Sequence, residues 1–219
     1  MKFSESPAVE LRVGNEALSI QQDNSTMHVG TTVWQSSLVL VKFADRWSSI
    51  SDSPYSDLLD FRSKRGIEIG SGCGVAGMGL SLLGLTDLVL TDIDAVMPAL
   101  KHNLKRNKHV LKRLPKTARL YWGKKDQIEA VRPPFDVVIA ADVVYLEETV
   151  ANLVETMEML VKENGVVLLG YQVRSVEADR LFWEMCGRVF GVVEKVKKED
   201  LDSEYRFEET DVFVLRKKR

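Results

Sequence analysis

The stretch Glu68-Ile69-Gly70-Ser71-Gly72-Cys73-Gly74 lies between a short apolar run, residues 66–69, and a segment, residues 75–83, that reads as a helix. Glycines at such a strand-to-helix turn let the backbone bend sharply and let a ligand approach without meeting a Cβ. Gly72-x-Gly74-x-x-Gly77 matches the fingerprint whose glycines and helix N-terminus cradle a pyrophosphate. Two features oppose a dinucleotide. The fingerprint should begin directly at the strand end, whereas Gly70-Ser71 intervenes here, and Glu68 sets a carboxylate where it would repel a pyrophosphate. That carboxylate suits a ligand carrying positive charge, such as a sulfonium or an α-ammonium group.

Outward from this turn, strands and helices alternate. Residues 88–91 read as a strand, 95–107 as a helix that tolerates Pro98 in its first turn, 118–121 as a strand, and 135–140, with Val137, Val138 and Ile139 at its centre, as a strand buried on both faces. Val150, Leu153, Val154, Met157, Leu160 and Val161 follow helical spacing, with Asn164-Gly165 as the stop, before a strand at 166–170 and a helix at 178–186. Alternating βαβ units imply a parallel sheet with helices on both faces and a ligand crevice at the carboxyl ends of its strands. The segments 189–196 and 211–215 are strand-like, and the polar stretch 197–209 joins them without a helix, so they are read as antiparallel. Upstream, Val9, Leu11 and Val13, then Gly14-Asn15, then Leu18 and Ile20 predict a hairpin over 8–22 that serves as a lid or an edge extension. From Thr31, the residues Val33, Trp34, Leu38, Val41 and Ala44 take helical spacing with Thr31 or Thr32 able to cap, and 48–60 reads as a loop. The chain divides on this reading into a hairpin extension, residues 1–30, and one α/β domain, residues 31–219.

Bulk properties narrow the function. With 219 residues, 45% hydrophobic and 28% charged, the chain suits a single folded domain. A net charge of -2 supplies no general positive field for nucleic acid. The basic run Lys101, Lys105, Arg106, Lys108, Lys112, Arg113 and Lys116, and the tail 216–219, contain no interleaved aromatics for base stacking and read as solvated surface. Cys73 and Cys186 form neither a disulfide framework nor a metal-ligand spacing, which points to a reducing compartment and no metal. Residues 1–25 lack a signal-peptide pattern, and no apolar run approaches the roughly 20 residues that span a bilayer. Cytosol, or cytosol and nucleus, is the expected location.

Three further groups fall at the crevice. Asp92 ends the second strand of the alternation, 22 positions after Gly70, where its carboxylate can accept bonds from two ribose hydroxyls or cap the next helix. Asp94 fits the capping role better and leaves Asp92 free. Trp122, beside Gly123, can stack flat on an adenine ring or pack in the core. In Ala140-Ala141-Asp142-Val143-Val144-Tyr145 the small Ala141 leaves room for a ligand, and Asp142 and Tyr145, three apart, face one pocket unless Asp142 caps a turn and Tyr145 packs.

Together these motifs resemble methyltransferase family 16, and within it the valosin-containing protein lysine methyltransferase group. The likeness extends to Val33-Trp34-Gln35, Tyr171-Gln172-Val173-Arg174 and Asp211-Val212-Phe213-Val214, covering nearly the whole chain from about residue 30. It implies a Rossmann-like class I fold with a mostly parallel seven-stranded sheet, a closing antiparallel hairpin, and an N-terminal β-hairpin and helix. The implied cofactor is S-adenosyl-L-methionine, with S-adenosyl-L-homocysteine as product. Trp34, Gly70, Ser71, Gly72, Asp92, Trp122 and Ala141 are implied to contact it, joined by Glu68 and Gly74 of the same turn. Asp142 and Tyr145 are placed beside the target amine, a lysine side chain of a non-histone protein, in a monomeric enzyme. Rival readings are a nucleotide-binding oxidoreductase and a non-catalytic interaction module on the same fold. The lack of an Asn-Pro-Pro-Tyr or Asp-Pro-Pro-Tyr segment argues against methylation of nucleic-acid bases.

Overall fold

The computed structural model describes residues 7–23 and 28–218. Residues 1–6 and 24–27 of the expected extension, and the final arginine of the basic tail, lie outside the described residues. Seven strands form the main sheet: β3 (Arg65–Ile69), β4 (Asp87–Asp92), β5 (Lys116–Arg119), β6 (Phe135–Ala141), β7 (Val161–Gln172), β8 (Phe190–Lys195) and β9 (Thr210–Lys217). Their order is β5-β4-β3-β6-β7-β9-β8, parallel from β5 to β7 and antiparallel where β9 inserts between β7 and β8. Strand order reverses between β3 and β6, so a crevice opens where their carboxyl ends diverge.

The central strands are buried on both faces because helices cover both. In β6, Val137 and Ile139 belong to one apolar cluster while Val138 and Ala140 belong to the other. That alternation is the two-residue period of a strand with two dry faces. Helices α1 (Gln35–Ser48), α3 (Val75–Leu82) and α4 (Met97–Arg106) pack on the first side; α6 (Glu147–Leu160) and α7 (Val176–Val189) pack on the second. Of two short helices, α2 (Ser56–Leu59) interrupts the stretch read as a loop, and α5 (Lys125–Ala130) falls where no element is predicted.

The N-terminal hairpin, β1 (Ala8–Val13) with β2 (Glu16–Gln21), forms as predicted around Gly14-Asn15. It is a separate two-stranded sheet and adds nothing to the edge of the main one. Val9, Leu11, Val13, Leu18 and Ile20 turn inward and join the first apolar cluster, over α1, α3 and α4. The outer edge of β2 is met by two fully buried asparagines, Asn103 on α4 and Asn107 at its C-cap. Asn103 accepts from the Gln21 N–H at 2.8 Å and donates to the Gln21 carbonyl at 3.0 Å; Asn107 does the same to Ser19 at 2.8 and 2.9 Å. One helical turn apart, their amides act as a surrogate strand and satisfy backbone groups that would otherwise be costly to bury. Asn103 also donates to the carbonyl of Cys73, tying the hairpin to the glycine turn.

Several element ends depart from expectation for identifiable reasons. Neither Thr31 nor Thr32 caps α1: the Thr31 hydroxyl is committed to the carbonyls of Asp23 and His28, and the helix begins four residues beyond Thr31, at Gln35. Asp94 does not cap α4 either; it pairs with Arg119, and α4 starts at Met97 without a side-chain cap. Helix α6 stops at Leu160 rather than at Asn164-Gly165, since Val161 is already extended and pairs with Phe135. The basic residues from Lys101 to Lys116 are all exposed, as a solvated surface requires.

Candidate active site

A cavity of about 710 Å³ occupies the crevice between the ends of β3 and β6. Trp34, Glu68, Gly70, Ser71, Gly72, Asp92, Trp122, Ala141, Asp142 and Tyr145, all singled out from sequence, line it. Gly74 stands one step back as the N-cap of α3, with φ of 85° and its N–H bonded to the Ser71 carbonyl at 2.7 Å.

The turn after β3 is built for close approach. Gly70 and Gly72 have φ of 63° and 54°, values that side chains resist. A Cβ on Gly72 would lie 2.9 Å from the Gly30 carbonyl, and one on Gly70 would meet Val143 and Trp122. Ser71 is buried, accepting from the Thr91 N–H at 3.0 Å and donating to the Glu68 carbonyl, so its hydroxyl staples the turn to β4 and β3.

The two carboxylates near the turn have different duties. Asp92 accepts from the Gly72 N–H and the Ile93 N–H, each at 2.7 Å, one on each oxygen. Burial raises its pKa while these two bonds oppose the rise. A carboxylate offers about four acceptor positions, so roughly two stay available toward the cavity. Glu68 is 2% exposed, and its Oε2 accepts from Gly77 N–H at 3.1 Å at the start of α3. Burial pushes its pKa up to about 8. The negative charge anticipated at Glu68 is therefore largely quenched by its own proton at neutral pH, and the residue acts first as a buttress between β3 and α3.

That burial has a measurable consequence. The unfolded glutamate releases its proton near 4.5 while the folded one keeps it to about 8. Between those values the folded state holds the extra proton, so stability falls as pH rises through the window, by at most ~1.4 kcal/mol per unit, and levels off above it. Glu68→Gln is expected to remove most of this slope, overtaking wild type in urea unfolding at about pH 9 while differing little at about pH 5. A constant gap between the two proteins across that range would contradict the burial assignment.

Asp142 follows β6 in the left-handed region, with φ of 60°, its N–H bonded to the Gly170 carbonyl at 3.0 Å. Its side chain is 3% exposed and is gripped by Arg174, with Nε to Oδ1 at 2.8 Å and a terminal nitrogen to Oδ2 at 2.6 Å. Ser36 of α1 donates to Oδ2 at 3.3 Å. The Arg174 guanidinium lies 4.7 Å from the centroid of the Trp34 ring, whose Nε1 donates to the Val29 carbonyl. Tyr145 lines the same cavity, and burial, with the nearby Asp92 charge, raises its pKa. Arg174 and Ser36 are the members that site reasoning from sequence missed. Arg174 follows β7, 32 positions beyond its partner, and only its place in Tyr171-Gln172-Val173-Arg174 singled it out.

A family model described as "Lysine methyltransferase" matches residues 13–188. The chain belongs to the lysine methyltransferase family. Relatives within reach of it include protein N-lysine methyltransferase METTL21A of Mus musculus, 30% identical over 85% of this chain and 80% of that protein, and its Xenopus tropicalis counterpart, 29% identical over 98% and 89%. EEF1A lysine methyltransferase 3 of Xenopus tropicalis is 28% identical over 78% of this chain and 70% of its own. In fold, the chain superposes on a TehB-like SAM-dependent methyltransferase from Corynebacterium glutamicum with a TM-score of 0.56 at 22% identity, covering 82% of this chain and 98% of that one. Family and fold make the chain a methyltransferase that uses S-adenosylmethionine.

The cavity fits that donor. Gly70 and Gly72 line the cavity with a turn that a side chain would force against Gly30, Val143 or Trp122, the Asp92 carboxylate keeps free acceptor capacity for hydroxyls, and Trp122 is half-buried at the wall. Among the described residues no group of three or more His, Cys, Asp or Glu could hold a metal, and no helix is long and apolar enough to cross a membrane.

Proposed function

We propose that this protein methylates the side-chain amine of a lysine in another protein, with Asp142 and Tyr145 at the receiving end of the cavity. The observation that carries this reading is the placement of Asp142, held by Arg174, and of Tyr145 on the same cavity as the glycine turn and Asp92. When bound, S-adenosylmethionine supplies a methyl carbon made electrophilic by its sulfonium. Asp92, Gly70, Gly72, Trp122 and Ala141 would hold the adenosyl portion, and Trp34 and Tyr145 would wall the channel to the amine. The protein's own contribution is mainly positioning, because little covalent help is required. A free lysine with pKa near 10.4 must give up a proton before its lone pair can attack, which costs about 4–5 kcal/mol at pH 7. Apolar walls and a neighbouring positive charge both lower that cost. The names of the relatives, all acting on protein lysines, support the substrate class. The two cysteines, both free and buried, accord with a cytosolic or nuclear enzyme, and we place it there as a monomer.

The test is a paired titration followed by labelling. S-adenosylhomocysteine is expected to bind with micromolar-class affinity while NADH does not bind, the arithmetic of a ~-8 kcal/mol association. Tritiated S-adenosylmethionine and a methylation-naive lysate should then yield labelled protein bands whose mass spectra carry methyl-lysine. Binding of NADH in place of S-adenosylhomocysteine, or label confined to nucleic acid, would overturn the reading.

A further inference from the structure

An aspartate beside the target amine raises a difficulty. A bare carboxylate favours the ammonium form, which has no lone pair to donate, so a group that docks the lysine would also disarm it. The Asp142 carboxylate is not bare. Arg174 takes one position on each of its oxygens and Ser36 takes another, leaving about one of roughly four acceptor positions for an incoming N–H.

We propose that Arg174 is a positioning residue that makes Asp142 a neutral ion pair, so that the site receives the substrate lysine as a free amine rather than as an ammonium. This inference rests on the lysine reading above. The geometry supports it from three sides. The two parallel bonds fix the carboxylate plane and therefore the direction of the remaining acceptor position. The guanidinium sits against the ring of Trp34 and grips Asp142, both of which line the cavity, so its positive charge stays close to where the amine must arrive. The side-chain exposures of 27% for Arg174 and 3% for Asp142 mean that water screens the pair weakly. Other charged or titratable groups surround the pair: Glu209 ahead of β9, which acts on Arg174 and accepts from Gln172 Nε2 at 2.8 Å, and Glu68, Cys73, Asp92, Tyr121, Tyr145, His28 and Lys124 on the cavity wall. None of these makes the bidentate contact that cancels the Asp142 charge. In the transfer itself the amine lone pair forms the new N–C bond as the C–S bond breaks with its electrons going to sulfur, and the methylated ammonium then loses one proton to water.

The experiment uses n-butylamine and n-butyltrimethylammonium as probes of the lysine channel, titrated into the full chain saturated with S-adenosylhomocysteine. For wild type, n-butylamine affinity should rise ~10-fold per unit between about pH 7 and 9, tracking the neutral fraction of an amine with pKa near 10.4. Arg174→Gln should flatten that rise to less than about twofold and bind n-butyltrimethylammonium at least ~10-fold more tightly than wild type, because its Asp142 is released to hold a cation. Arg174→Lys, which keeps a positive charge, should retain the wild-type rise. The proposal is overturned if wild-type affinity is flat with pH, if Arg174→Gln keeps the wild-type slope, or if Arg174→Lys behaves as Arg174→Gln. Failure of S-adenosylhomocysteine to bind wild type would strike the methyltransferase reading first, and so is distinguishable from all three.

Discussion

Asp142→Asn is expected to slow methyl transfer by ~10²–10⁴-fold while S-adenosylhomocysteine affinity stays within about threefold of wild type. Asparagine is the informative replacement because it tolerates the left-handed backbone that Asp142 adopts, so the turn after β6 should persist. What it removes is chemical. Arg174 uses both carboxylate oxygens, and an amide can offer only one acceptor and must turn an N–H₂ toward the guanidinium. The pair then opens, the guanidinium loses its countercharge, and the amine loses the acceptor that aims it. The cofactor end of the cavity is untouched, since none of the glycine-turn hydrogen bonds involves Asp142. Single-turnover transfer from tritiated S-adenosylmethionine, read beside calorimetry, separates the two effects. Unimpaired turnover would reduce Asp142 to a structural partner of Arg174.

Asp92→Ala should produce the opposite split, lowering cofactor affinity by ~100-fold or more and lowering stability by about 1–3 kcal/mol. The carboxylate does two things at once, and alanine abolishes both. It strips the N–H groups of Gly72 and Ile93 of their acceptor, so a glycine turn held at positive φ loses the anchor that keeps it there. It also removes the acceptor positions that face the cavity and would receive ribose hydroxyls. Calorimetric titration with S-adenosylhomocysteine, together with urea unfolding, measures both losses. Normal affinity after this substitution would eliminate Asp92 from the cofactor site.

Much of this architecture can be read in the residues themselves, where the signal is local. The glycine turn, the doubly buried run Val137-Val138-Ile139 and the hairpin around Gly14-Asn15 all rest on short-range pattern, and the structure contains each of them. The short helix α5, Lys-Asp-Gln-Ile-Glu-Ala, escapes because Ile128 is its one buried residue, so no apolar period exists to detect. Functions decided by distant partners are likewise hidden. Asp94 looks like a cap until Arg119, 25 positions away, claims it. Thr31 fails to cap because its hydroxyl is spent on a loop, and the cation that pairs with Asp142 comes from the far side of β7. Glu68 was legible as an acidic residue at the turn, but the dryness that keeps its proton on is a property of the assembled layers.

The amide of Asn103 reaches two places at once, the edge of β2 and the carbonyl of Cys73. The front of the chain is thus a splint for the glycine bend at the cavity, although it lies outside the alternating units. Paring the protein back to those units would leave the splinted bend to sag, and moving this hairpin onto another relative's body would work only if the two asparagines of the α4 region travelled with it.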